Sequence, residues 1–336
     1  MATIREVAEY AGVSIASVSR ILNEDPDYRA TAQTRERVLA AIRELNYTPN
    51  PNYKKRHNPK ISIGCISRMT VEKTEDSYYA TILSGAKNYL KAQNYEFDFV
   101  LSQFDIMKEE SLSTLLAHPP KGLILMDQPS AETMQFLSSK IKYIVGIDSG
   151  QPSIDNISYD RFEAACRAMR YLFEKGHKKI AYIGAHLSKD ILNIGRYEAY
   201  LRMMKQKGLP IDPAWVIDSE WHRGICYEKT IELMKCTNRP TAILVGSDHM
   251  AIAAVSALHM LGIAIPEEIS VMGISNIEDA KYITPPLTTI SIPQIEIGEI
   301  AANILLQRMQ GDTSLPKRII VPTDLVERRS VAPCSK

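Results

Sequence analysis

From Ile61 nearly to its end, the chain alternates short apolar, β-branched runs with amphipathic stretches of helical period, and few folds accept that rhythm. The runs are Ile61–Ile66, Phe97–Leu101, Gly122–Met126, Tyr143–Ile147, Lys179–Ile183, Val216–Asp218, Thr241–Val245 and Ile269–Gly273. Between residues 160 and 175, Phe162, Ala165, Cys166, Met169, Leu172 and Phe173 recur at helical intervals. Continuous apolar strands separated by such helices predict parallel sheets covered on both faces, an α/β class. Eight strands exceed one compact sheet of this kind. Two α/β subdomains of similar size are therefore expected, with the break in the Gly/Pro/Asn-rich stretch Ser149–Asp160. After Pro285 and Pro286, a strand Leu287–Ile292, a helix Ile295–Met309 and a strand Arg318–Val321 complete the pattern.

The first twenty-three residues break this rhythm. Ile4, Val7 and Ala8 share one helical face, and Gly12 is free to take the positive φ of a tight turn. Ser14 suits the N-cap of a second helix that buries Val18, Ile21 and Leu22. Ile15, Ala16, Ser17, Ser19 and Arg20 stay outside. Small residues near the start and an arginine one turn later fit a helix that enters the DNA major groove and touches base edges. Thr31 caps a third helix burying Val38, Ile42 and Leu45. The three helices make a module over residues 1–46. Residues 47–60 then carry Pro49, Pro51 and Pro59 among asparagines, a linker signature in which Pro51 suits the first turn of a short helix through Tyr53–Arg56. The remainder, 61–330, divides into an N-subdomain of about 61–158 and 292–318 and a C-subdomain of about 159–291 and 319–330.

Charge is nearly balanced at +1 overall, but residues 1–60 hold ten Lys/Arg against seven Asp/Glu, which is +3 and leaves −2 elsewhere. With Lys54, Lys55 and Arg56 in the linker, this suits an N-terminal nucleic-acid contact. The five cysteines (65, 166, 226, 236 and 334) are dispersed and form no C-x-x-C, so reduced thiols and a cytoplasmic location are expected. No apolar run approaches the ~20 residues of a membrane span. Neither a G-x-G-x-x-G, a P-loop, a G-x-S-x-G nor an H-E-x-x-H occurs, so no enzyme, cofactor or metal site is expected.

In doubly wound folds, ligands sit beyond the carboxyl ends of the strands. Here those ends are polar in turn: Gln103, Asp127, Asp148, Glu220 with Trp221, Ser247 with Asp248, and Ser275 with Asn276. Arg196 is expected in the first turn of the helix after the fifth strand. Two such sets of ends facing each other would enclose a polar cleft with an aromatic wall. Carboxylates and a guanidinium bind hydroxyl pairs, and indole and phenol rings stack on pyranose C–H faces, so a sugar or similar polyhydroxy compound is the expected ligand.

Thr3–Asn23, Thr34–Val38 (TRERV), Leu45–Asn50 (LNYTPN), Gly176–Ile180 (GHKKI), Arg196, Val245–Ala251 (VGSDHMA), Ile265–Val271 (IPEEISV) and Pro285–Ile290 (PPLTTI) together resemble the lac repressor family of bacterial transcription regulators. Within it, the chain looks nearest to repressors of galactoside use. The resemblance implies a periplasmic-binding-protein-like core that binds an effector and forms a homodimer, and a helix-turn-helix that reads a pseudo-palindromic operator. By position, it implies that Ile15, Ala16 and Arg20 read bases, while Ser14, Ser17, Asn23, Thr31 and Thr34 hold phosphates; Thr3 and the basic Lys54, Lys55 and Arg56 are expected to join the DNA contact. Likewise it puts Tyr78, Tyr79, Asp148, Arg196, Trp221, Ser247, Asp248 and Ser275 at the effector pocket, to which the strand-end reading adds Asn276. Two departures stand out. Lys55 occupies the place of the family's hinge leucine, and a lysine cannot unstack a base step as an apolar wedge does. Ser275 replaces an aspartate that often anchors the ligand. With no leucine-heptad tail after Val331, a dimer is favoured over a tetramer. The expected function is a repressor of a sugar-utilisation operon; an activator or global regulator answering to a protein co-regulator is the alternative.

Overall fold

The computed structural model describes residues 2–22, 28, 30–45, 47, 62–67, 77–102, 119–185 and 191–334. It contains two compact units, residues 1–61 and 62–336. Asn23, Gln103 and the basic Lys54, Lys55 and Arg56 of the linker lie outside the described residues.

In the first unit, α1 (Ile4–Ala11) opens with a reciprocal cap. The Thr3 amide donates to Glu6 Oε2 at 2.6 Å, and the Glu6 amide donates back to Thr3 Oγ1 at 3.3 Å. Gly12 ends the helix at φ +64°, a left-handed turn that few side chains adopt. Ser14 Oγ then accepts the Ser17 amide at 3.1 Å and starts α2 (Ile15–Leu22). Thr31 accepts the Thr34 amide at the head of α3 (Ala32–Glu44). Val7, Ala8, Ala11, Val18, Ile21, Val38 and Ala41 meet in one small core, with Ile4, Leu22, Tyr28, Ile42 and Leu45 around it.

The second unit holds two six-stranded sheets. In the first, the spatial order is β11-β5-β4-β3-β1-β2, all parallel: β1 (Ser62–Ser67), β2 (Glu96–Ser102), β3 (Gly122–Met126), β4 (Tyr143–Ile147), β5 (Asp155–Tyr159) and β11 (Arg318–Val321). The second runs β12-β10-β9-β8-β6-β7: β6 (Ile180–Gly184), β7 (Val216–Asp218), β8 (Ala242–Val245), β9 (Ser270–Ser275), β10 (Thr288–Ser291) and a short antiparallel β12 (Asp324–Val326). Helices α4 (Ser77–Ala92), α5 (Ala131–Lys140) and α10 (Gln294–Met309) belong with the first sheet. Helices α6 (Arg161–Glu174), α7 (Ile191–Gln206), α8 (Arg223–Met234) and α9 (Asp248–Met260) belong with the second. The chain passes between sheets three times, after β5, after β10 and after β11. α10 and α4 pack backbone to backbone: a Cβ on Gly298 would stand 2.0 Å from the Ile82 carbonyl oxygen.

Three expectations need correction. The stretch Ser149–Asp160, read as a break, contains β5, a fully buried strand of the first sheet. Its sequence, DNISY, hides the strand because its polar residues are buried against partners outside it. Arg308 grips Asp155 at 2.7 and 2.9 Å, and Asn156 Oδ1 accepts from the amide and hydroxyl of Ser149. The strand Arg318–Val321 was expected to divide between subdomains at 318; it pairs wholly with β5 in the first sheet, and β12 is the strand that returns to the second. Finally, α7 starts at Ile191, so Arg196 sits in its second turn and not in the first.

Candidate functional site

The helix-turn-helix presents Ile15, Ala16 and Arg20 on the exposed side of α2, with Val18 and Ile21 inward. Tyr28, which sequence reasoning passed over, organises this face. Its hydroxyl donates to Ser17 Oγ at 2.9 Å, and its ring lies 5.4 Å from the Arg20 guanidinium carbon. The tyrosine thus restricts the Arg20 side chain through a cation–π contact. Thr3, Ser14, Thr31 and Thr34 gather at the first turns of the three helices. The helix dipoles there favour anions such as phosphate.

In the larger unit, both sheets reverse strand order, around β1 in the first and around β6 in the second, and ligands in such folds collect beyond the strand ends at that point. A cavity of about 340 Å³ lies there. Tyr78 and Tyr79 line it from the first turn of α4, their rings edge to face at 5.2 Å. Asp127 follows β3, Asp148 follows β4 and Tyr159 ends β5. From the second sheet come Arg161, Arg196, Trp221, His222, Arg223, Ser247, His249 and Ser275. Several of these residues have left-handed backbones: Asp127 at φ +63°, Asp148 at +55°, Trp221 at +61° and Ser275 at +134°. Such conformations are costly, most of all for a bulky Trp, and they cluster where the surrounding fold holds side chains for a purpose.

Seven of the nine expected pocket residues therefore line one cavity: Tyr78, Tyr79, Asp148, Arg196, Trp221, Ser247 and Ser275. Asp248 and Asn276 do not. Ser247 is the N-cap of α9, its Oγ accepting the Met250 amide, which turns Asp248 away into the protein. There Asp248 accepts from Thr289 Oγ1 at 2.6 Å and from the Ile277 amide at 3.2 Å. Complete burial pushes its carboxyl up to about 7, although those two bonds favour the anion. Asn276 is held between Arg328, which donates to its Oδ1, and Ser291.

Asp148 is not an open clamp. Arg161 Nη2 lies 2.8 Å from its Oδ2, and Ser158 Oγ donates to its Oδ1. Arg161, Tyr159 and His249 escaped sequence reasoning. Tyr159 ends the unrecognised strand β5 and Arg161 begins the helix after it, and nothing in a local pattern announces a pairing across the crossover. Arg196 is 8% exposed; its Nη2 donates to the Tyr159 hydroxyl, and its guanidinium lies 5.0 Å from the Trp221 ring. Among the described residues, Arg196 Nε and Trp221 Nε1 are buried donors without an acceptor. No group of three or more His, Cys, Asp or Glu side chains among the described residues could hold a metal ion. No described helix is long and apolar enough to cross a membrane. None of the five cysteines is in a disulfide, and burial pushes the Cys65 and Cys226 thiols well up.

Residues 3–50 match the bacterial regulatory proteins of the lacI family, and residues 169–331 match a periplasmic binding protein-like domain. The HTH-type transcriptional repressor PurR of Photorhabdus laumondii is 33% identical, over 98% of this chain and 97% of its own length. PurR of Yersinia pestis is 31% identical over 99% and 97%. Among solved structures, a transcriptional regulator CelR–cellobiose complex is 25% identical with a TM-score of 0.72, covering 98% of this chain and all of that one. The Lac repressor bound to ONPG in a repressed state is also 25% identical, with a TM-score of 0.71 over 98% and 99%.

Proposed function

The chain belongs to the lacI family of DNA-binding transcriptional repressors, and from that premise we propose that a small sugar-like effector, seated between its two sheets, sets its hold on operator DNA. Repressors of this family bind operator DNA and small-molecule effectors and act as dimers. The observation that carries the proposal is the cavity itself. It joins residues of both sheets around Arg196 and Trp221, so a ligand there has a different contact set in each relative placement of the sheets. A ligand moves the DNA-bound population only by that difference in affinity. The cellobiose complex of a neighbour and the indole wall of the cavity both favour a sugar.

On the DNA side, two α2 helices of a homodimer would read the two halves of a pseudo-palindrome on one face of the duplex. Arg20 would donate to guanine O6 and N7, with Ile15 and Ala16 against thymine methyls. Thr3, Ser14, Ser17, Thr31 and Thr34 would hold phosphates, joined by Asn23 and Lys54–Arg56 from outside the described residues. Affinity would then fall steeply with salt. The compartment that fits operator DNA and free thiols is the cytoplasm. The test is a mobility shift on an operator recovered by in vitro selection, with and without sugars, galactosides among them. Affinity that changes with a sugar supports the reading, whereas affinity no small molecule alters refutes it and favours a protein co-regulator.

A further inference from the structure

Ser17 and Arg20 stand three positions apart on α2, so their side chains share one face of that helix. Tyr28 reaches both. Its hydroxyl donates to Ser17 Oγ at 2.9 Å, and its ring centroid lies 5.4 Å from the Arg20 guanidinium carbon. Ser17 is itself fixed, because its amide donates to Ser14 Oγ at 3.1 Å and its hydroxyl lies 3.0 Å from the same atom. The ring is half-buried against the small core of the N-terminal unit, which holds it in place. An aromatic face attracts a guanidinium through its quadrupole and offers no acceptor oxygen. A carboxylate at the same place would take the N–H fork that guanine O6 and N7 require.

We propose that Tyr28 is a positioning residue for base recognition. It holds the Arg20 guanidinium at the stance from which Arg20 reads its base pair, so discrimination at that pair depends on a residue that need not touch the base. The effect falls on the correct base. A guanidinium already held in place makes its two bonds to guanine O6 and N7 without first being ordered, whereas opposite any other base the same stance meets no matched pair of acceptors. Loss of the ring therefore lowers affinity for the preferred operator and leaves affinity for operators altered at that pair nearly unchanged. The hydroxyl anchors the ring and the ring holds the charge, so two substitutions part ways. Tyr28→Phe keeps the cation–π contact and loses the anchor; Tyr28→Leu loses both. The inference rests on Arg20 as a base reader and adds the residue that aims it.

The experiment uses the full chain, an operator recovered by in vitro selection and every single-base variant of it, at fixed salt. Anisotropy titration gives the ratio of affinities at each position. Tyr28→Leu should lower that ratio about two- to fivefold at the pair read by Arg20, the range an exposed cation–π contact supplies, and leave the other positions unchanged. Tyr28→Phe should keep most of the ratio. In an Arg20→Ala background, Tyr28→Leu should change nothing further at that pair. A packing role predicts equal weakening on all sequences with a lower melting temperature of the N-terminal unit, and that pattern overturns the inference. Should Tyr28→Leu unfold the unit, fluorinated phenylalanines placed at position 28 weaken the ring's attraction while nearly keeping its shape. Discrimination that falls stepwise with added fluorine supports the inference; discrimination that ignores it overturns it. If Arg20→Ala itself weakens every sequence alike, the base-reading assignment falls and the inference with it. If Arg20→Ala relaxes one pair and no substitution of Tyr28 does, the base reader stands and the inference alone is wrong.

Discussion

The Asp148–Arg161 pair gives the sharpest perturbation. Replacing Arg161 by Met keeps the length of the side chain and removes its charge. It leaves Asp148, with a side chain 7% exposed, holding only Ser158. Removing one partner of a buried pair costs about 3–5 kcal/mol, because the remaining charge is desolvated without compensation. Arg161 is 12% exposed and borders the cavity, so water can approach Asp148 and the lower end applies, about 3 kcal/mol. For a unit of this size that corresponds to a fall in Tm of about 6–12 °C. Calorimetry and urea unfolding of the full chain would measure it. Removing both partners, as Asp148→Ala with Arg161→Met, should cost less than the arginine substitution alone, since no unpaired charge remains. A single-variant cost under 1 kcal/mol, or a double variant that simply adds the two single costs, would refute the argument that Asp148 is buried and neutralised by Arg161.

Other outcomes follow from the same reasoning. Arg20→Ala should lose about 1–3 kcal/mol of discrimination at one symmetric pair of operator positions, read by binding to every single-base variant; uniform weakening across all of them would show a phosphate contact instead. Gly12→Ala should cost the N-terminal unit about 1–2 kcal/mol, because alanine is strained at φ +64°, and leave the melting of the larger unit in place. Asp248 binds a proton in the folded chain up to about pH 7, whereas an exposed aspartate releases it near its ordinary 3.8. Its contribution to stability is therefore full below about pH 4 and is lost as pH rises through 7, and the span is worth about 4 kcal/mol. Asp248→Asn should remove that slope, so the difference in urea stability between variant and parent should change between pH 5 and pH 8; a constant difference would show that Asp248 does not titrate there.

Much of this molecule is legible along the chain, because much of it is local. Ser14 and Thr31 cap their helices through bonds to residues three positions on, and Gly12 turns the chain within one step, so the helix-turn-helix can be read from twenty-three residues. The apolar strands β3, β4, β6 and β8 announce themselves for the same reason: each is an unbroken run of residues that water rejects. What stayed hidden depends on partners far away. β5 reads as a polar loop until Arg308 arrives to neutralise Asp155, 153 residues distant. Asp248 and Ser247 look interchangeable as pocket residues, and only the capping bond of Ser247 decides which of them faces the cavity. The left-handed backbones of Asp148, Trp221 and Ser275 leave no mark in the sequence, since none is glycine. The pairing that occupies Asp148 is equally silent.

The central claim is that occupancy of the cavity and grip on DNA are one equilibrium. Fluorescence anisotropy of a labelled operator from in vitro selection, titrated with the full chain at fixed salt, tests it most directly. A ligand that quenches Trp221 should change operator affinity tenfold or more, about 1.4 kcal/mol of coupling, and Arg196→Ala should abolish the change while operator affinity without ligand stays intact. Ligand that fills the cavity and leaves operator affinity unmoved would contradict the account.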